Sequence, residues 1–127
     1  MEFKENPAIY LQIAEFVCEQ ILLTKWEVGD KIISIRDLAM DMEVNPNTVQ
    51  RAYDFLQQRQ IIINKRGIGY FIEAEAMDRI LNFKREQFMK NELPSFMKSM
   101  VLLKINFIDV KIIFNQFVKD NFKKIDK

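Results

Sequence analysis

Asn47, Thr48, Gln50 and Arg51 place two amides, a hydroxyl and a guanidinium within one short stretch, VNPNTVQRAY. None of these groups changes protonation near neutral pH, so the chemistry they offer is recognition and not proton transfer. Amides and guanidinium match the donor and acceptor pattern that base pairs show in the major groove of DNA. A second set, Lys65, Arg66 and Gly67, joins two cations to a residue without a side chain, so that the backbone there can come close to a phosphate or a minor groove. The chain has no histidine and a single cysteine, Cys18. The usual zinc ligand sets and imidazole acid/base pairs therefore cannot be assembled, and no spacing pairs the carboxylates for catalysis. We expect no enzyme, no metal and no cofactor.

The elements that must position these residues follow from caps and periodicity. Asn45-Pro46 sets an N-cap before a proline at the first helical position, where the missing N–H costs nothing, so the proline starts a helix and does not break one. Val49, Ala52, Tyr53 and Leu56 then recur at helical spacing as a core face, which turns Asn47, Thr48, Gln50 and Arg51 outward. Ser34 followed by Asp37 has the form of a capping box and predicts an earlier helix over SIRDLAMDM, with Leu38, Ala39 and Met42 inward. Glu43 and Val44 make the turn between the two, so the pair reads as a helix-turn-helix whose second helix faces the DNA. A first helix is predicted from about Pro7 to Leu23, capped by Asn6, with Ile9, Ile13, Phe16, Val17, Cys18, Ile21 and Leu22 on its apolar side. WEVGDKII leads from it through a turn into a short extended piece. After the second helix of the pair, strands over Ile61–Asn64 and Tyr70–Glu73 flank a turn at Lys65–Gly69, which makes a β-hairpin wing.

The remaining residues change character. A helical segment from Met77 to about Leu103 is predicted to bend or break near Leu93-Pro94, and another amphipathic segment runs from about Phe107 to Phe122. These segments hold Phe83, Phe88, Phe96, Phe107, Phe114, Phe117 and Phe122 together with Met89, Met97 and Met100. Helices so apolar cannot cover themselves, and we expect them to pair with a second copy of the chain. The expected organisation is a DNA-binding part over residues 1–75 and a helical dimerisation part over 76–127, mostly α in class, with a winged helix-turn-helix first.

Charge limits how DNA could be held. The net charge is +1 overall, but residues 1–76 carry 8 Lys/Arg against 12 Asp/Glu, a net −4, and the rest a net +5. Bulk attraction to nucleic acid is excluded, so binding must use a local basic face. The apolar tail is interrupted by Lys104, Asp109 and Lys111, which argues against a membrane span, and MEFKENPAIY lacks the basic start and apolar core of a secretory signal. A cytoplasmic location is expected, with Cys18 as a small buried hydrophobe.

The segments PAIYLQIAEFVCEQIL, GDKIISIRDLA, VNPNTVQRAYDFL and KRGIGYFI, in this order over about residues 7–72, resemble the first helix, second helix, recognition helix and wing of the GntR family of bacterial regulators. VNPNTVQRAY and the short helical tail resemble its YtrA-like branch. That resemblance implies a winged-helix transcription factor, usually a repressor, dimerising through its C-terminal helices. It implies DNA contacts at Arg36, near the positive end of the second helix, at Asn45, Asn47, Thr48, Gln50 and Arg51 on the recognition helix, and at Arg66 and Gly67 on the wing. Ile33 and Gln60 depart from the family pattern, standing where proline and glycine are common. Pro46 and Gln50 stand where several members place arginines, so the operator sequence is left open.

Blander roles exist for each residue. Arg51 could pair with Asp54 on the surface, Asn47 and Thr48 are common at helix starts, and Lys65 and Arg66 could serve only to keep a turn soluble. Two other functions fit the same elements: a protein-interaction module that has lost DNA binding, and a sensor whose tail encloses a small effector of unknown kind.

Overall fold

Backbone and side-chain caps decide where the helices begin. The structure, a computed structural model, describes residues 8–122. The Asn6-Pro7 opening predicted for the first helix lies outside the described residues, and α1 spans Ile9–Leu22. In α2, Ile35–Met42, the Ser34 hydroxyl accepts the Asp37 N–H at 3.0 Å, which is the N-cap half of a capping box. In α3, Pro46–Gln58, the Asn45 carbonyl oxygen Oδ1 accepts the Asn47 N–H at 2.7 Å, and Pro46 sits in the first turn. A cap of this kind contributes about 1 kcal/mol. Between them Glu43 adopts a left-handed conformation (φ 57°), and its own N–H and that of Val44 return to α2 carbonyls, closing a turn that fixes one helix against the other.

The wing consists of β1, Ile62–Lys65, and β2, Gly69–Ile72, antiparallel with Ile62 opposite Ile72 and Lys65 opposite Gly69. The extended piece expected after α1 adds an edge to it: the Ile32 N–H donates to the Tyr70 carbonyl and the Ile72 N–H to the Asp30 carbonyl. This ladder ties the approach to α2 directly to the wing.

Val49, Ala52, Tyr53 and Leu56 of α3 are all fully buried, against Ile13, Ala14, Val17, Cys18 and Ile21 of α1 and Ile61, Ile62 and Ile72 of the wing. Ile9, assigned by pattern to the same face, stays exposed at the first residue of α1. The chain divides into two compact units at Lys84/Arg85, within α4, Ala76–Gln87. The early turns of α4 belong to the first unit's core: Ala76 and Ile80 are buried, the Phe83 ring meets Phe55 edge-on, and Lys84 pairs with Glu15.

Arg79 of α4 donates to the Gln60 carbonyl at 2.7 Å, and Gln60 itself is left-handed (φ 61°). A side chain there carries a steric cost that glycine escapes, so Gln60→Gly should stabilise the fold by about 0.5–1 kcal/mol in a urea melt. An unchanged or lowered midpoint would show that the Gln60 side chain repays its strain.

The core also controls two ionisations. Burial pushes the Cys18 thiol from its ordinary 9.0 up to about 11, only partly offset by the Arg59 charge. Burial, with Tyr70 alongside, likewise holds the Tyr53 phenol above its usual range. Both groups are held neutral in the folded chain, so the stability they contribute is complete below the unfolded values and is lost as pH rises towards the folded ones. The Cys18 contribution should fall by about 2–3 kcal/mol between pH 9.0 and about 11. At about pH 8 a thiol reagent should leave folded Cys18 unmodified and label it only in denaturant; rapid native labelling would contradict this burial.

In the second unit the end of α4 passes into a π-helical turn, Phe88–Glu92, that runs into α5, Leu93–Leu102. The bend expected at Leu93-Pro94 is therefore absorbed as a wide turn. The Leu93 N–H returns to the Phe88 carbonyl, which widens the backbone just before the proline, and the missing N–H falls in the first turn of α5. α6, Phe107–Asn121, is opened by Asn106, whose Oδ1 accepts the Ile108 N–H at 2.8 Å. No residue of α5 or α6 is buried, although Phe107, Ile113 and Val101 are among their large apolar side chains and each is more than 65% exposed.

Candidate nucleic-acid interface

With Val49, Ala52, Tyr53 and Leu56 turned into the core, helical geometry puts Asn47, Gln50, Arg51 and Asp54 on the opposite face, one above the other. All four are exposed, whereas Thr48 lies at the flank of this stripe and is half-buried. Asn45 is exposed and its Oδ1 is engaged as the cap.

The side chains of the stripe are held in different ways. The Arg51 guanidinium carbon lies 4.1 Å from the centroid of the Tyr10 ring on α1, a cation–π contact that keeps the charge exposed at the α1 side of α3. It does not pair with Asp54. Instead Gln50 Nε2 donates to the Asp54 carboxylate at 3.0 Å and lies 3.5 Å from the Tyr70 hydroxyl of β2. The sequence names Asp54 only as a possible surface partner of Arg51, although the outward stripe that contains Asn47, Gln50 and Arg51 reaches it at the next helical step.

Arg36 is exposed in the first turn of α2, and among the described residues it has no acidic partner. Lys65, Arg66 and Gly67 are exposed at the wing tip. Lys65 Nζ sits 4.5 Å from the centroid of the Phe71 ring across the hairpin. A third cation joins them. Lys31 bridges to Phe71, and a Cβ added at Gly69, whose φ is +143°, would meet the Lys31 side chain at 2.8 Å. Gly69 thus leaves the space in which Lys31 lies across β2. Lys31 has no obvious sequence signal, because only the ladder between the extended piece and β2 brings it to the wing.

The arrangement offers hydrogen-bonding groups on one helix face, a cation at a neighbouring helix start and a basic hairpin. In the second unit, α5, α6 and the π-helical turn border an open groove of about 1100 Å³, lined among others by Phe88, Phe96, Ser99, Phe107, Val110 and Phe114. Among the described residues no helix is long and apolar enough to cross a membrane.

Comparison with known proteins gives the same reading of the first unit. The profile of the bacterial regulatory proteins, gntR family, matches residues 9–72. The chain is 33% identical over 99 residues to the HTH-type transcriptional regulator YhcF of Bacillus subtilis (strain 168), spanning 78% of this chain and 80% of that protein. It is 36% identical over 81 residues to the HTH-type transcriptional repressor YtrA of the same organism, spanning 64% of this chain and 62% of YtrA. The crystal structure of a GntR-family transcriptional regulator from Bacteroides thetaiotaomicron is 39% identical, with a TM-score of 0.71 over 89% of this chain and 98% of that one. A capped helix-turn-helix, a basic wing, short C-terminal helices and these relatives together make the chain a member of the gntR family, a DNA-binding transcriptional regulator of the YtrA-like kind.

Proposed function

We propose that the protein is a homodimeric repressor that binds a pseudo-palindromic operator, with residues 1–75 as the reading part and 76–127 as the dimerising part. The observation that carries this reading is the exposed stripe of Asn47, Gln50 and Arg51 on a rigidly capped helix, flanked by Arg36 and by the wing cations. α3 enters the major groove, where Asn47, Gln50 and Arg51 meet base edges, while Asn45 and Thr48 flank the phosphates at the helix start. Arg36 binds a phosphate at the α2 N-terminus, where the helix dipole adds to its charge. Lys65, Arg66 and Gly67 follow the backbone or the adjacent minor groove, with Lys31 beside them. That the relative YtrA is named a repressor supports repression over activation.

The test is binding of the purified protein to the DNA upstream of its own gene against a shuffled control, at two salt concentrations. A selective complex with two chains per site, weakening steeply with salt, is expected. Arg51→Ala should cost about 1–3 kcal/mol and relax one base position, while Arg36→Ala should weaken every sequence alike. No change in either variant would overturn the site. A dimer that binds no DNA selectively would favour a protein-interaction module instead.

A further inference from the structure

Gln50 does not present both ends of its amide. Asp54, one helical turn further on, carries a carboxylate that only accepts hydrogen bonds, so the end of the Gln50 amide facing it at 3.0 Å must be the nitrogen. The other neighbour of that nitrogen is the Tyr70 hydroxyl at 3.5 Å, and the Tyr70 ring is itself fixed edge-on against the buried Tyr53, with centroids 5.0 Å apart. Held between Asp54 and the wing strand, the nitrogen is occupied and the carbonyl oxygen Oε1 is the end left for DNA.

The geometry points to Gln50 as an acceptor-only reader of bases, with Asp54 as the positioning residue that sets this selectivity. The inference rests on the proposed placement of α3 in the major groove. There adenine and cytosine each present an amino group that can donate to Oε1, whereas guanine presents only acceptors and thymine an acceptor and a methyl group. The usual bidentate pairing of glutamine with adenine needs the amide nitrogen as well, and that nitrogen is engaged. The position read by Gln50 therefore accepts adenine or cytosine and rejects guanine. Asp54 also places a negative charge on the DNA-facing stripe, which weakens attraction to phosphates for every sequence. Its effect is selectivity at the expense of general affinity.

Selection of bound sequences from a random DNA library separates the possibilities, using the full chain and its Gln50→Ala, Asp54→Ala, Asp54→Glu and Tyr70→Phe variants, with thermal melts as a fold control. Gln50→Ala should flatten the preference at one position. At that position Asp54→Ala should admit guanine, reducing a discrimination of about five- to tenfold to about twofold, while overall affinity rises. Asp54→Glu, which still reaches one turn back, should keep the preference, and Tyr70→Phe should weaken it partly. If Asp54→Ala leaves the Gln50 position unchanged, Asp54 does not position the amide and the inference fails while DNA reading by α3 stands. If Gln50→Ala changes no position, Gln50 is not in the groove and the inference falls with it. If the unsubstituted chain selects no sequence at all, the operator-binding reading itself fails.

Discussion

Replacing Phe114 by glutamate should convert a dimer into monomers and reduce operator affinity by about 10²- to 10⁴-fold. Phe114 is 59% exposed in the single chain and lines the apolar groove with Phe107 and Val110 of α6 and Phe96 of α5. A charge at an exposed position costs the fold of one chain little. In a dimer that covers the groove, the same carboxylate would be buried without a partner, which costs several kcal/mol at each of two symmetric sites. The apolar residues left uncovered in α5 and α6 motivate the prediction, because monomers seldom carry an apolar patch larger than about 300–600 Å². In the proposed dimer two recognition helices bind as one, so its loss would leave the second half-site without gain from the first. Sedimentation velocity, together with binding to operator DNA, gives both readouts, and Phe114→Leu should restore both. A Phe114→Glu protein that remains dimeric with unaltered affinity would mean that association uses another surface.

How much of this was legible beforehand depends on whether the determinant is local. Asn45-Pro46 and Ser34–Asp37 carry their meaning within a few residues, and both caps form as their sequences dictate. The α3 core face was equally plain, since four apolar residues at helical spacing leave one way to orient the helix. Long-range pairings were not legible. Lys31 reaches the wing only through hydrogen bonds between Asp30–Ile32 and β2, and Arg51 chooses the Tyr10 ring over the nearby Asp54 because α1 happens to pass beside α3. The amide of Gln50 takes Asp54 instead, an i, i+4 pair that spacing permits but cannot distinguish from its competitors. Pro94 marks the place of a distortion without specifying its form, and the π-helical turn is one of several ways to satisfy it.

The site depends on a core residue that touches no DNA, and its removal should have the largest effect on stability. Tyr53 is fully buried on the inward face of α3, and its hydroxyl donates to the Ile33 carbonyl at 2.7 Å, immediately before the cap of α2. The same ring meets Tyr70 of the wing edge-on. One side chain thus holds the recognition helix against both the start of α2, which carries Arg36, and β2, which carries the partner of Gln50. Tyr53→Ala should remove about 3–5 kcal/mol, a large part of the stability of a domain of this size, and leave little folded protein at 37 °C. Tyr53→Phe keeps the ring and isolates the hydrogen bond, and should cost about 1–2 kcal/mol by urea denaturation, because the Ile33 carbonyl loses its donor. The phenylalanine variant should also loosen the α2 start relative to α3, so operator affinity should fall more than the small loss of folded protein explains. Equal midpoints for Tyr53→Phe and the unsubstituted chain would show that water replaces the hydroxyl at Ile33 without loss, and that the ring alone joins these three elements.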